Sequence, residues 1–194
     1  MTQRPTARDR MLTSAIALFR ERGIDATSFA DVIERAEAPR GSIYHHFPGG
    51  KTQLAEEATR TAGALMETLI ESSLARGGPS ETLARLIGVF RRQLLDSDFQ
   101  SGCPVAAGAL ESGDFAAARE IAGEAFTACE DAIAAALTLR GVPAARADSL
   151  ATTAVTAIEG ALLVARAQRS VRALDRVGAE LTGMIASAVD EAER

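Results

Sequence analysis

The sequence is notable first for what it lacks: it has no tryptophan, one tyrosine, one lysine and two cysteines among 194 residues. Two cysteines are too few for a disulfide framework, and Cys103 and Cys129 lack the spacing of a metal site. Few aromatics and a largely aliphatic 47% hydrophobic content favour helices over sheet. The N-terminus has no apolar signal-peptide core, and Glu159 and several threonines interrupt the most apolar stretch, residues 151–165. We therefore expect a cytoplasmic protein with reduced thiols.

Charge is distributed unevenly along the chain. The net charge is −5, yet residues 1–52 carry eight basic and six acidic side chains, a local excess of two positive charges. The remaining residues carry 13 basic and 20 acidic side chains. A mildly basic N-terminal region on an acidic body is the pattern expected where only the N-terminal region meets phosphate.

Apolar residues recur at helical spacing throughout, as at Leu12, Ala15, Ile16 and Phe19. The pattern predicts an all-α fold of about nine helices, with no strand-like alternation. The predicted helices run up to Gly23, over 28–36, from Pro39 to Phe47, onward from Lys51, through 83–94, briefly within the loop 96–114, and over 115–139, 144–169 and 171–193.

The segment from Ser28 to Phe47 predicts a helix-turn-helix unit of 20 residues. Ser28 and Asp31 form a weak version of a capping box, and Pro39 suits the first turn of the following helix. Such a unit can lay its second helix in a major groove while the first helix braces it. We expect Ile43 and Phe47 to face inward.

The string TSFADVIERAEAPRGSIYHHFPGGKTQLAEEA, residues 27–58, closely resembles the DNA-binding region of the TetR family of transcriptional repressors. The resemblance covers about the first sixty residues. The later strings PGGK and GCPVAAGALE resemble the LmrA- and QdoR-type (YxaF-like) branch. Two departures concern the turn, where Glu37 replaces the usual glycine and Pro39 a frequent serine. We expect Glu37 to occupy, at some cost, a backbone position that glycine tolerates better.

The resemblance implies a DNA-binding domain over residues 1–52, with a double-stranded DNA operator as partner. Arg40 is long enough for a bidentate contact to guanine, and Ser42 and His45 should face the groove beside it. Tyr44 and His46 are implied phosphate ligands. The full predicted DNA-binding set is Thr27, Ser28, Pro39, Arg40, Gly41, Ser42, Tyr44, His45, His46 and Lys51.

Two alternatives concern the aromatic and imidazole cluster. Tyr44 could instead be a core aromatic. His45 and His46 are adjacent and point in different directions on a helix, so they make a poor metal pair. We expect neither a metal nor another cofactor.

The predicted C-terminal domain, residues 53–194, should bind an effector and form a homodimer. The last two helices carry apolar stripes suited to a four-helix interface. The predicted interface residues are Ala151, Val155, Ile158, Leu162, Ala165, Leu174, Val177, Leu181 and Ile185. The alternative is that these stripes only pack internally, and the family resemblance favours dimerisation.

An apolar cavity between the middle helices is predicted to hold an apolar or aromatic small molecule. Its candidate lining residues are Phe90, Leu94, Phe99, Cys103, Val105, Leu110, Phe126, Cys129, Ile133 and Leu162. For any one of these residues, plain core packing is the simpler interpretation. Cys103 could sense oxidants, although a partly buried, inert thiol is the simpler interpretation.

These features predict a DNA-binding transcriptional regulator that binds a palindromic operator as a homodimer and is released by a ligand. The resemblance alone implies that it is a repressor and not an activator. No nucleophile–base pair, metal motif or phosphate loop points to an enzyme. The remaining alternative is a helical small-molecule-binding or interaction protein without DNA binding, which Glu37 and the net acidity would favour.

Overall fold

The computed structural model of the protein describes residues 5–39 and 41–194, and over these residues the chain forms nine α-helices, one 3-10 turn and no strand. The helices are α1 (Ala7–Arg22), α2 (Phe29–Arg35), α3 (Ser42–His46), α4 (Gly50–Leu74), α5 (Pro79–Asp96), α6 (Pro104–Ala109), α7 (Ala116–Leu139), α8 (Ala144–Gln168) and α9 (Arg172–Ala192). The 3-10 turn, Gly113–Phe115, precedes α7. The predicted all-α fold is confirmed.

The predicted capping box at the start of α2 is also confirmed. The Asp31 amide donates to Ser28 Oγ at 3.2 Å, and the Ser28 amide donates to Asp31 Oδ2 at 2.8 Å. Hydrogen bonds to the carboxylate from the Ser28 hydroxyl and the Ser28 amide, with an ion pair from Arg22, lower the pKa of Asp31 to about 2. The carboxylate that fixes this helix start therefore stays ionised down to strongly acidic pH.

The turn between α2 and α3 differs from the prediction in one respect. The predicted helix start at Pro39 is wrong, because α3 begins at Ser42. Gly41 has a φ of +88°, a left-handed conformation that glycine adopts readily, and this breaks the chain direction just before the helix. The Pro39 carbonyl instead accepts hydrogen bonds from the Ser42 amide at 3.2 Å and from Ser42 Oγ at 2.7 Å.

The expectation of a strained turn at Glu37 is confirmed. Its φ is +48°, in the left-handed region that side chains with a Cβ atom adopt at a cost. The chain therefore keeps the backbone geometry of a glycine turn with a glutamate in its place.

The helices form two compact units. The head unit contains the described residues up to Gly63 together with Pro104–Glu124, and the body unit contains Ala64–Cys103 and Ala125–Arg194. The division passes through α4 and α7, so each of these helices contributes residues to both units. The functional boundary predicted at residue 52 stays a prediction.

The core of the head unit joins the N-terminal helices to a distant part of the sequence. Met11, Phe19, Val32 and Leu54 are buried together with Ala118, which lies more than fifty residues further along the chain. Gly108 of α6 completes this packing. A Cβ atom at Gly108 would lie 2.8 Å from the Thr59 side chain and 3.1 Å from the Ala118 carbonyl oxygen. Residues 104–124 are therefore an integral part of the head unit.

The core of the body unit is formed where α5, α8 and α9 pack together. Each of these helices buries an apolar stripe within the same protomer. The buried residues include Leu86, Phe90 and Leu94 on α5, Leu150, Ile158 and Leu162 on α8, and Leu174, Leu181 and Ile185 on α9.

This packing corrects the predicted dimer interface. Of its nine residues, seven are buried inside the protomer and Val155 and Val177 are half-buried. Residues buried among α5, α8 and α9 of one chain have no surface left to contact a second copy. The alternative, that these apolar stripes pack within the chain, therefore describes these residues. The large apolar side chains exposed on α8 and α9 are different ones: Leu163, Val164 and Met184.

Helix α8 is also the one helix among the described residues that is long and apolar enough to cross a membrane by length and composition. Core helices of soluble proteins share that composition. The buried stripe of α8 explains part of its apolar character, and the exposed Leu163 and Val164 account for more of it.

Candidate nucleic-acid interface

Helix α3 is held in place from its inner side. Ile43 and Phe47 are fully buried against the head core, which contains Val32 and Leu54, and Phe29 packs at its edge. The Phe47 amide closes the helix with a 2.7 Å hydrogen bond to the Ile43 carbonyl, and the Arg8 guanidinium lies 5.2 Å above the Phe47 ring. The prediction that these two residues anchor the helix is confirmed.

Tyr44 lies on the outer side of α3. Its side chain is 65% exposed, and its ring meets Phe29 edge to face with 5.4 Å between centroids. The alternative that Tyr44 is a core aromatic is therefore wrong. One edge of the ring is braced by the protein while the rest faces solvent, an arrangement suited to presenting the hydroxyl to a ligand.

The neighbouring histidines differ in exposure. His45 is exposed and His46 is half-buried, with their ring centroids 5.3 Å apart. The residues described contain no group of three His, Cys, Asp or Glu side chains arranged to hold a metal ion. The two imidazoles remain available as separate hydrogen-bonding groups at one end of α3.

Lys51 stands at the start of α4 and is partly engaged within the head unit. Its ammonium donates to the Asp25 carbonyl at 2.9 Å and lies 5.4 Å from the Phe115 ring centroid. An ammonium has three N–H donors, so this arrangement positions the charge and leaves donors for a further acceptor. The first amides of a helix also favour an anion at this point.

Thr27 and Ser28 use their hydroxyl groups within the protein. Thr27 is 1% exposed and donates to the Gly23 carbonyl at 2.8 Å. Ser28 is exposed, but its hydroxyl donates to Asp31 Oδ2 at 2.6 Å. Both residues thus hold the turn before α2, and their predicted contacts with DNA stay predictions.

The residues just before α3 complete the candidate surface. Pro39 and Gly41 are exposed, and Ser42 is half-buried with its hydroxyl donated to the Pro39 carbonyl. Arg40, the predicted guanine ligand, lies outside the described residues. The structure therefore gathers Pro39, Gly41, Tyr44 and His45 on the exposed surface at α3, with Lys51 beginning the next helix.

The predicted effector site is only partly brought together. Eight of its residues belong to the body unit, where Phe90, Leu94, Cys103, Cys129, Ile133 and Leu162 are buried and Phe99 and Phe126 are half-buried. Val105 and Leu110 belong to the head unit. Leu110 is 87% exposed, so its assignment to an apolar cavity lining is corrected.

Three polar residues of the body unit were missed by the sequence analysis: Gln93, Ser101 and Glu159. Ser101 Oγ and Gln93 Oε1 are buried without a hydrogen-bond partner in the described part of the chain. Glu159 accepts a hydrogen bond from the Cys103 thiol. The available sequence signal was a carboxylate, Glu159, within the most apolar stretch of the chain.

Comparisons with known proteins agree with this geometry. Residues 11–58 match the family described as bacterial regulatory proteins, tetR family, and residues 79–180 match the transcriptional regulator LmrA/YxaF-like C-terminal domain. An uncharacterized HTH-type transcriptional regulator of Mycobacterium tuberculosis is 41% identical, covering 96% of this chain and 98% of that protein. The HTH-type transcriptional regulator LmrA of Bacillus subtilis is 29% identical, covering 81% of this chain and 85% of LmrA.

Solved structures share the fold. A TetR transcriptional regulator from Legionella pneumophila superposes with a TM-score of 0.82 at 21% identity, covering 94% of this chain and 99% of that one. A cysteine mutant of the TetR family regulator CifR, complexed with 26bp double-strand operator DNA, superposes with a TM-score of 0.64 at 21% identity, covering 98% of each chain. With a helix-turn-helix head and an LmrA/YxaF-like C-terminal domain, the chain belongs to the TetR family of DNA-binding transcriptional regulators.

Proposed function

We propose that the protein is a ligand-released repressor that acts in the cytoplasm and binds a palindromic operator as a homodimer. The observation that carries this proposal is α3, which is pinned from inside by Ile43 and Phe47 and presents Tyr44 and His45 outward. A short helix fixed in this way can enter a major groove without losing its orientation.

Within that proposal, Arg40, Ser42 and His45 read base edges, while Tyr44, His46 and Lys51 contact phosphates on the flanks. Tyr44 suits the second role because Phe29 braces its ring and its side chain is exposed. Lys51 suits it because the Asp25 carbonyl holds its ammonium beside the first turn of α4. The solved complex of CifR with operator DNA supports this use of the fold.

A homodimer would give the operator its two half-sites, about one helical turn (~34 Å) or a multiple of it apart. The structure supports a different face of α8 and α9 from the one the sequence suggested. Leu163, Val164 and Met184 are exposed, and exposed glycines at Gly160 and Gly183 would let two helices approach closely. We propose this face, the outer face of α8 and α9, as the dimer interface.

Release from DNA would follow from a population shift. An effector bound in the body unit would favour a dimer whose two heads are wrongly spaced for successive major grooves. Helix α4 is the proposed lever, because it begins at the DNA-binding surface with Gly50 and Lys51 and contributes its later residues to the body unit.

The test is binding of the purified protein to the DNA immediately upstream of its own gene, at several salt concentrations. We expect tight binding that weakens steeply with salt, because each phosphate contact releases counterions. Arg40→Ala and Tyr44→Phe should weaken binding at least tenfold, while Arg92→Ala, which changes an exposed arginine of α5 in the body unit, should not.

If that fragment is not bound, a selection from random-sequence DNA decides the matter. Recovery of a palindromic sequence would keep the proposal and move the operator elsewhere. Recovery of no enriched sequence would reject it in favour of a helical ligand-binding protein without DNA binding.

A further inference from the structure

A group of polar side chains lies where α5 ends in the body unit: Ser101 is buried, and Gln93 and Ser97 are half-buried. Ser97 Oγ donates to the Gln93 carbonyl at 2.6 Å and accepts from the Ser101 amide at 3.0 Å, so the chain folds back on the last turn of α5. Ser101 and Cys103 of this returning segment are 2% and 6% exposed. Polar atoms are thereby carried into the interior of the unit.

Two of these atoms have no hydrogen-bond partner in the part of the chain that the structure describes: Ser101 Oγ and Gln93 Oε1. Buried polar atoms in folded proteins are almost always hydrogen-bonded, and each exception calls for an explanation such as a bound molecule. Gln93 Oε1 is an acceptor, and Ser101 Oγ can accept as well as donate.

Glu159 of α8 adds a carboxyl group to the same region, because it accepts a hydrogen bond from the Cys103 thiol. Burial raises the pKa of Glu159, and this hydrogen bond offsets part of that rise. The Glu159 side chain is half-buried, and neither influence supplies the positive charge with which a carboxylate withdrawn from water is ordinarily paired.

The electrostatic environment nearby is negative. Burial, followed by the charges of Glu67, Glu159 and Glu130 in that order, raises the pKa of the Cys129 thiol to about 11. A positive group entering this part of the body unit would be attracted, whereas an anion would be repelled.

We propose that Gln93, Ser101 and Glu159 form the polar end of the effector site, and that the effector is an organic ammonium ion with an apolar body. An ammonium group offers several N–H donors and a positive charge, which match two unpaired acceptors and one carboxylate. This inference rests on the proposed ligand-released function. It specifies that the apolar or aromatic effector also carries a positive charge.

Apolar residues flank the polar group on both helices. Phe90 lies three residues before Gln93 on α5, and Leu162 lies three residues after Glu159 on α8, a spacing that places each pair on one face of its helix. Phe90 and Leu162 are buried. The ammonium end therefore meets oxygen acceptors, and the rest of the molecule meets apolar side chains.

The test uses the full-length protein without DNA and measures binding by titration calorimetry at pH 7.5. The probes are 2-phenylethylammonium and hexylammonium, with 2-phenylethanol and 1-hexanol as their uncharged counterparts. We expect each ammonium ion to bind at least tenfold more tightly than its alcohol. Equal binding within each pair, or no binding by either ammonium ion, would overturn the proposal.

Variants connect this preference to the named residues. Glu159→Gln keeps the shape and removes the charge, and it should abolish the preference for the ammonium ion. Asp148→Asn, at an exposed position on the same helix, should leave the preference intact. Ser101→Ala should weaken ammonium binding several-fold and serves as the second variant if Glu159→Gln melts at a lower temperature. If both site variants still bound the ammonium ion more tightly than its alcohol, the assignment of these residues to the effector site would be rejected.

Operator binding by the same preparations separates this inference from the proposed function. If the protein binds DNA but neither ammonium ion, the inference fails and the repressor proposal stands. If the ammonium ions bind as expected and no DNA is bound in the random-sequence selection, the proposed function fails while the ligand site remains.

Discussion

The head unit and the body unit are both helical, yet they hold their functional groups in different ways. In the head unit, the five-residue helix α3 is fixed by two buried side chains, Ile43 and Phe47. The three side chains between them are exposed or half-buried. In the body, long helices bury several stripes at once, and polar groups such as Glu159 lie among apolar neighbours. A short, strongly constrained helix reveals its exposed face from sequence, whereas a long alanine-rich helix does not.

The largest effect on this comparison should come from Phe47→Ala. Removing a fully buried phenylalanine from the head core costs about 3–5 kcal/mol of unfolding free energy, because a cavity remains. Urea unfolding would measure that loss, and operator binding should fall with it.

Tyr44→Ala is the matched control on the same helix. It should change the unfolding free energy by no more than about 1 kcal/mol, since it loses only the edge contact with Phe29. Operator binding should nevertheless fall. If both variants lost stability equally, α3 would not have the inner and outer faces described above.

Gly108→Ala tests whether residues 104–124 belong to the head. The added methyl would lie 2.8 Å from Thr59 and 3.1 Å from the Ala118 carbonyl, and we expect a cost of about 1–3 kcal/mol from this overpacking. Gly123→Ala, on α7 with nothing within 4 Å of the added atom, should be neutral or stabilise by up to about 1 kcal/mol. Thermal melting of the two variants would compare them, and equal melting temperatures would contradict the close packing of α6.

Glu37→Gly should stabilise the head, because glycine adopts the observed φ of +48° without a Cβ clash. We expect a gain of about 1 kcal/mol in unfolding free energy. Glu34→Gly, three residues earlier inside α2, should lose about 1 kcal/mol instead, because glycine is a poor helix former. Chemical denaturation of both variants would measure the two changes in unfolding free energy. A lower unfolding free energy for Glu37→Gly would contradict a strained turn at this position.

The smallest effect is expected from oxidants and alkylating agents. Both thiols are buried, and with a pKa of about 11 the Cys129 thiolate is only about one part in a thousand at pH 8. Iodoacetamide should label the folded protein slowly and the urea-unfolded protein rapidly. Rapid labelling of the folded protein, with loss of operator binding, would instead identify a redox sensor.

Much of the fold followed from the sequence alone. The helical spacing of apolar residues, and the glycines and prolines between the helices, predicted the nine helices. The strained turn at Glu37 followed from the family resemblance, because the family carries glycine there. The start of α3 was misplaced because a proline also fits a turn, and only the backbone conformation of Gly41 distinguishes the two.

The candidate sites followed less completely. Helical spacing identifies an apolar stripe but cannot say whether a neighbour in the same chain or a second copy covers it, and so the stripes of α8 and α9 were misassigned. The hydroxyl groups of Thr27 and Ser28, predicted to contact phosphate, also donate to a local carbonyl and a local carboxylate, and their contacts with DNA stay predictions. The association of residues 104–124 with the head depends on contacts between distant segments, which no local pattern encodes.

The most direct test of the central claim is a hydroxyl-radical footprint of the full-length protein on its operator. We expect two protected half-sites related by two-fold symmetry, with centres about one helical turn (~34 Å) or a multiple of it apart. Leu163→Arg, on the proposed outer face of α8 and α9, should weaken both half-sites together. A single protected half-site, or a footprint unchanged by Leu163→Arg and Tyr44→Ala, would contradict a dimeric repressor that reads DNA through α3.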